Sequence, residues 1–536
     1  MSKRSWSRGV LLLIFMGTTS FAHAASEATW KIKKAQWSAA DDKAYSDFIQ
    51  KLGESSCSTT GACLDSEANP YRARNPSFVK SVSSDCSRFP YLLRLYFAFM
   101  NDLPFSYVAK VSALGRSGDI AQSPEGNTVV ARRSIKGGIT LRKAVSEMMS
   151  LTSSGMYRIS PREDVKSKNV FPDFYPVALE RSAIRPGTLI YDPNGHVAMV
   201  YKVDPFGRVR FMDAHPDNSI TRGTYGERFA RSRPALAAGL KNWRPITLTT
   251  SGDIVGAKNA EISDYSLIQY TGTHPSTDPE WEWRQNRFVV EGVDFEFYDY
   301  LRLKLAEKKF RFDPIQETRD LLEGLCFDLR DRVESVQEAL QNGIADKEHP
   351  AMIPANIYGS EGEWGVFSTP SRDARLKLAF LETERKLKQF LQLVAVSSDR
   401  VIYSGGVEDL RLEMRALVEA SHESCRLSYR NSRGDEQSFG IADIEGRLWD
   451  LSFDPYHCPE LRWGARDVEL ESCRDSSLKR EWYDAEIQLR ARVDRGEPVR
   501  GRDRSLSDLW NEVRQGPDSR PARVDFLKAI ETGGGI

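Results

Sequence analysis

The sequence predicts an α+β fold in two parts, and three observations lead there. Residues 87–100 are apolar on nearly every side, with Phe89, Tyr91, Leu92, Leu93, Leu95, Tyr96, Phe97, Phe99 and Met100. A helix that is hydrophobic all round is a buried one. Behind it come β-branched and aromatic runs at 188–191, 196–203, 209–213 and 243–249, cut by the turn sequences Asp-Pro-Asn-Gly and Asp-Pro-Phe-Gly. One buried helix followed by a strand meander predicts a helix packed on an antiparallel sheet. From about residue 275 the pattern turns helical: Leu322, Cys326, Leu329, Val333, Val336 and Leu340 recur at steps of four and three, and 376–394 and 410–425 behave alike. Antiparallel helices bury such stripes against one another.

Taken in chain order, the first 24 residues have the three parts of an export signal. Lys3, Arg4 and Arg8 form the basic start, residues 10–16 a short apolar core, and Ala22-His23-Ala24 the small-x-small cleavage pattern. The apolar run is far below the roughly 18 residues that span a bilayer, and no later stretch reaches that length. A chain cleaved after Ala24, periplasmic or secreted and without a membrane span, is therefore expected. Residues 38–54 read as a helix capped by Ser38 or Asp41, with Tyr45, Phe48, Ile49 and Leu52 on its apolar face. Cys57-Ser-Thr-Thr-Gly-Ala-Cys63 is a tight loop. Pro90 lies in the first turn of the buried helix. It lacks an N–H and crowds the carbonyl of Cys86 four residues back, so the helix should begin close to Cys86.

Residues 110–185 are mixed, with a strand near 128–132 and a helix near 141–151, and form an insertion in a first domain spanning 25–270. An aromatic stretch (Trp281, Trp283, Phe288, Phe295, Phe297, Tyr298, Tyr300) opens a second domain, 275–536. Packing between the halves explains these rings better than stacking on sugars. Residues 426–457 read as short strands, 477–494 as a last helix, and the Arg-rich 490–504 segment as solvated.

Basic and acidic residues number 75 each. Cleavage of the signal removes three basic residues and leaves about −3, a balance that does not suggest nucleic acid or an anionic membrane as partner. There are seven cysteines. In an oxidising compartment an odd count leaves one thiol over, and six cysteines allow 15 connectivities. Cys57 and Cys63 should close the short loop and Cys458 and Cys473 the C-terminal one. Cys326 and Cys425 lie on apolar stripes that can face each other. Cys86 remains free.

Cys86 stands at a helix N-terminus, where unpaired N–H groups and the helix dipole favour an anion. That predicts a thiol of lowered pKa that alkylates faster than free cysteine at pH 7. Among the histidines, His196 stands out, because it follows Gly195 at the end of a turn and opens a strand. A third group should orient its imidazole through the other ring nitrogen. The next strand ends with Asp213 and His215. Asp213 is favoured because its charge would stabilise the imidazolium, and His215 is the alternative. Ser-x-x-Lys occurs at 77–80 and 476–479 without Lys-Thr-Gly or Ser-Asp-Asn, which makes it a chance match. No His-Glu-x-x-His or tight Cys/His cluster occurs, so neither metal nor cofactor is expected.

Asp85-Cys86-Ser87-Arg88-Phe89 opening a buried helix resembles the nucleophile motif of the NlpC-type cell-wall peptidases, which are papain-like. Residues 186–191 and Gly195-His196-Val197-Ala198-Met199-Val200-Tyr201 resemble that family's two following strands in order, and Phe211-Met212-Asp213-Ala214 the strand carrying its third residue. The resemblance covers roughly residues 80–250. Three features depart from it. Arg88 and Pro90 replace a small and an ordinary helical residue. The Cys86-to-His196 interval is about double the usual one. Asp stands where His is commoner. The resemblance implies a Cys86–His196–Asp213 hydrolase of amide bonds, with peptidoglycan stem peptides as substrate. The alternative is a degenerate papain-like envelope protein that recruits a partner through its helical half.

Overall fold

The computed structural model describes residues 28–115, 118–273, 283–290, 292–499, 501–516 and 521–533. The expected export signal and Trp281 lie outside them. Helix α1 (Ala39–Glu54) starts where Ser38 accepts the Asp41 N–H and the Asp41 carboxylate accepts the Ser38 N–H, a reciprocal cap. Tyr45, Phe48, Ile49 and Leu52 are buried beneath it. Its end lies so close to the sheet that a Cβ on Gly53 would stand 2.1 Å from Tyr201 Cγ. Helix α2 (Thr60–Asp65) sits in the loop closed by the Cys57–Cys63 disulfide. Helix α3 (Phe89–Met100) buries ten of its twelve residues. It begins two residues after the start of the apolar run because Asp85 first holds the chain in a turn. The Asp85 carbonyl accepts the Phe89 N–H, and its carboxylate accepts Ser87 Oγ and the Arg88 N–H.

Strands β1 (Phe105–Ala113) and β2 (Asn127–Ile135) form a hairpin, followed by α4 (Leu141–Leu151). The main sheet joins β3 (Phe174–Pro176), β4 (Leu189–Tyr191), β5 (Val197–Val203), β6 (Val209–Ala214), β7 (Ile220–Thr224) and β8 (Gly239–Trp243) in the antiparallel order β3-β8-β4-β5-β6-β7. The β4–β5 and β5–β6 turns close on Gly195 (φ 87°) and Gly207 (φ 76°), where a side chain would be strained. Alternate strand residues face opposite ways. Leu189, Tyr191, Val197, Met199 and Met212 pack toward α1 and α3, while Ile190, Ala198, Val200 and Phe211 pack against Phe288, Phe297, Tyr300 and Leu301. Both faces are therefore covered, and the strands read as unbroken apolar runs. The mixture of helices with antiparallel strands is compatible with the α+β class.

The expected strand at 243–249 ends instead at Trp243 and resumes as a separate Ile246–Leu248 strand. Pro245 has no N–H to give a ladder. The 426–457 region holds only two strands, Arg426–Arg430 and Glu436–Gly440, before the Ile441–Arg447 helix.

In the second half the Pro314–Gln341, Pro370–Ala395 and Val407–Ser424 helices share a core through Leu329, Phe380, Leu387, Leu410 and Met414. Disulfides join Cys326 to Cys425 and Cys458 to Cys473. The three disulfides suit an oxidising compartment. Among the described residues no helix is long and apolar enough to cross a membrane. The 490–504 segment departs from the expected solvated tail: Arg490 and Arg495 are buried. The Arg495 guanidinium reaches back to Asp192 in the β4–β5 turn at 2.9 Å, with neither side chain exposed. The last described helix, Phe526–Thr532, also packs into the core, with Phe526 stacked on Phe380.

The Cys57–Cys63 loop docks on β7 through Ile220 N–H to Ser58 O, and Cys57 O accepts from Arg222. A closed loop this short stabilises by about 2 kcal/mol on the chain-entropy account. Replacing both cysteines by serine should lower urea stability by about that amount, with little change in near-UV dichroism.

Candidate active site

Four elements converge on His196. Gly195 turns the chain into β5, so His196 stands at the end of the sheet. Its Nε2 lies 2.7 Å from Asp213 Oδ2 on the neighbouring β6. A carboxylate only accepts, so Nε2 donates and the lone pair of a neutral ring falls on Nδ1. The other Asp213 oxygen accepts from the Thr221 hydroxyl on β7. Burial alone would raise the Asp213 carboxyl. The charge of His215 and the bonds and charge supplied by His196 and Thr221 outweigh it, holding the group well below the usual carboxylate range.

The alternative third residue, His215, is placed differently. Its Nε2 bonds to Thr221 Oγ1 at 3.0 Å and stays 3.8 Å from Asp213. Its ring stacks beside His196 with centroids 6.0 Å apart, and its Nδ1 faces Asp331 of the Pro314–Gln341 helix at 3.8 Å. Asp213 is thus the residue that touches the imidazole, and His215 lies on its flank.

Cys86 is the free cysteine and is partly buried. It sits in the turn that Asp85 caps, three residues before α3, and Tyr157 supports that turn with a hydroxyl donated to Ser87 O at 2.7 Å. Arg88 does not reach across the site: it pairs with Asp85 and donates Nε to Met149 O at 2.8 Å. The Val197 N–H, in the peptide that follows His196, is among the groups that favour the thiolate. The structure records no hydrogen bond between Cys86 and His196.

Burial pushes the Cys86 thiol up to about 12, with the Asp85 and Asp213 charges adding to it and the Val197 N–H and Arg375 opposing. This overturns the expected depressed thiol. The dipole of α3 acts from three residues away, while desolvation and two carboxylates act at the sulfur. Burial likewise lowers His196, against the partial compensation of Asp213. In this arrangement the proton rests on sulfur. Iodoacetamide should therefore modify Cys86 in the folded protein more slowly than free cysteine at pH 7. The rate should climb with pH without levelling near 9, because the thiolate is the reactive form.

The second half closes over this site. Phe327, Asp328 and Asp331 of the Pro314–Gln341 helix and Arg372, Arg375 and Leu376 of the Pro370–Ala395 helix wall a cavity of about 40 Å³ with His196, Asp213 and His215. Arg228 holds Asp328 at 3.0 Å and Arg372 holds Asp331 at 3.0 Å. About 10–15 Å³ of such space holds one water, so the cleft has room for a few waters, and Cys86 is not among its walls. Nothing in the residue pattern marks this cover, because its charged walls lie on helix faces that read as solvated.

No family model matches the chain, and neither the curated proteins nor the solved structures include a match.

Proposed function

We propose that the protein is an exported cysteine hydrolase of amide bonds, with peptidoglycan stem peptides as its substrate. The observation that carries this reading is the Asp213–His196 pair, which leaves Nδ1 as the free base, in a chain whose one free cysteine, Cys86, feels the charge of Asp213 and the Val197 N–H after His196. His196 Nδ1 takes the thiol proton as sulfur bonds to the carbonyl carbon. The proton then passes to the leaving amine as the C–N bond breaks, and water cleaves the thioester to free the acid and restore the thiol. Backbone N–H groups around the Cys86 turn would stabilise the oxyanion. Arg375, whose charge bears on both Cys86 and His196, suits a substrate with a nearby carboxylate. A muropeptide digest with wild type and Cys86→Ala, read by mass, tests this. New cleaved peptides with wild type alone support it, and identical digests refute it.

A second reading is favoured by the narrow cleft and the protonated thiol: a papain-like envelope scaffold that binds a partner through its helical half. The two differ in what loosening the cover does. Arg228→Gln with Asp331→Asn removes the Arg228–Asp328 pair and the charge that Asp331 turns toward His215, two contacts between the Pro314–Gln341 helix and the sheet half. If the cover gates a working site, iodoacetamide modification of Cys86 should rise at least about tenfold and hydrolysis should rise with it. Faster modification without any hydrolysis would favour the scaffold.

A further inference from the structure

A second cluster of titratable side chains lies in the helical half, away from Cys86, and is more deeply buried. It brings together His349, Asp454, His457 and Glu486, whose side chains are fully buried. His349 Nε2 is 2.8 Å from Asp454 Oδ2. His457 Nε2 is 3.5 Å from Glu486 Oε2. One donor atom each from His349, Asp454 and Glu486 falls within 4.8 Å of the other two.

The proton count at these atoms does not close. His349 Nδ1 is 2.8 Å from the Pro350 carbonyl. A carbonyl only accepts, so Nδ1 carries a hydrogen and a neutral ring turns the Nε2 lone pair toward Asp454. Asp454 spends its other oxygen on the Tyr456 N–H at 2.7 Å. His457 repeats the pattern: Nδ1 is 3.3 Å from Asp475, whose oxygens also accept the Cys458 N–H. Its Nε2 makes no hydrogen bond, and neither does either oxygen of Glu486. Two added protons, one on each Nε2, would pair His349 with Asp454 but leave His457 facing Glu486 across 3.5 Å, with neither Glu486 oxygen hydrogen-bonded. Such groups are costly. Arg462 is buried nearby: its Nε and Nη2 are bound to the Ser452 carbonyl and the Thr369 hydroxyl, and its Nη1, which makes no hydrogen bond, brings a positive charge that bears on Asp454 and Glu486 without meeting their oxygens.

We infer that these four residues form a structural site for a divalent metal ion of the zinc class. Two imidazoles whose Nδ1–H is held by an oxygen, and whose Nε2 points at carboxylates, have the outer support that metal-bound histidines show. Mixed nitrogen and oxygen donors in a tetrahedral set suit zinc. Donors bound at about 2.0–2.1 Å stand about 3.3 Å apart, so the trio of His349, Asp454 and Glu486, now within 4.8 Å, must contract around the ion, with His457 joining from its place 3.5 Å from Glu486. The site is closed: Trp482 stacks on His349 with centroids 4.2 Å apart, and the Cys458–Cys473 disulfide ties the segment of His457 to that of its orienting Asp475. The ion would join the chain after the Pro314–Gln341 helix to the 454–457 loop and the Ser477–Ala485 helix end. No tight motif marks the site, because its donors are spread from 349 to 486.

The test is the metal content of the folded, disulfide-bonded protein, purified without chelator and passed through gel filtration. About one zinc per chain is expected, with a melting temperature that falls on stripping by chelator and returns with zinc chloride. Glu486→Gln and His349→Gln should each lose the metal, while Cys86→Ala keeps it. If neither variant folds, zinc titration of stripped wild type decides, with one tight site expected. Folded wild type holding less than about a tenth of an equivalent, with no rise in melting temperature on added zinc, would overturn the inference. So would metal that survives both substitutions. Muropeptide cleavage is not among the readouts, so this site stands or falls apart from the cysteine one.

Discussion

Cys86→Ala and His196→Ala should each lower amide hydrolysis by about four orders of magnitude or more, while the melting temperature stays nearly unchanged. Cys86 is only partly buried and packs at the margin of the core, so its removal leaves a small void. Members of a nucleophile–base unit act together, and losing either removes the covalent route. Asp213→Asn should retain more activity than either, because Asp213 orients the ring and does not itself carry the proton. It should still cost dearly, since an amide can present its NH₂ to Nε2 and favour the wrong tautomer. Initial rates on purified muropeptides, with dichroism of each variant, check this series. Equal rates for His196→Ala and wild type would remove the imidazole from the chemistry.

Arg495→Met should destabilise the protein by about 3–5 kcal/mol, since breaking a fully buried ion pair strands the remaining charge. Asp192, the stranded partner, also accepts the Asn194 and Ala230 N–H groups and so shapes the turn that delivers His196. Activity should fall as well. Adding Asp192→Asn should restore part of the lost stability, because no charge is then left without a partner. Urea unfolding of the two single variants and the double variant measures the coupling. A loss below about 1 kcal/mol for Arg495→Met would show water reaching the pair.

The elements that local chemistry decides were legible in the sequence. Ser38 and Asp41 announce α1, the apolar run announces α3, and the paired turn glycines announce the hairpin that presents His196. The same cysteines that loop length and apolar stripes suggested are joined in the structure. Strand β1 was less legible, because only the short Asn101-Asp102-Leu103-Pro104 turn separates Phe105–Ala113 from the apolar run of α3. Residues 490–504 misled because arginine usually means solvent, and only tertiary pairing shows that Arg495 is inside. The thiol misled for a related reason: helix position is a property of sequence, while desolvation and the Asp213 charge come from segments far along the chain.

The pairing of Arg495 with Asp192 also has a meaning in time. The turn that presents His196 is completed by a residue made roughly 300 positions later, which at 5–20 residues per second takes roughly 15–60 s. Until then the N-terminal half carries a cysteine and a histidine without their final frame or their cover. Pulse-labelled chains arrested before residue 495 should show faster Cys86 modification than finished ones. A chain assembled in that order is finished and covered at nearly the same moment, which keeps a half-made chain from holding a set site.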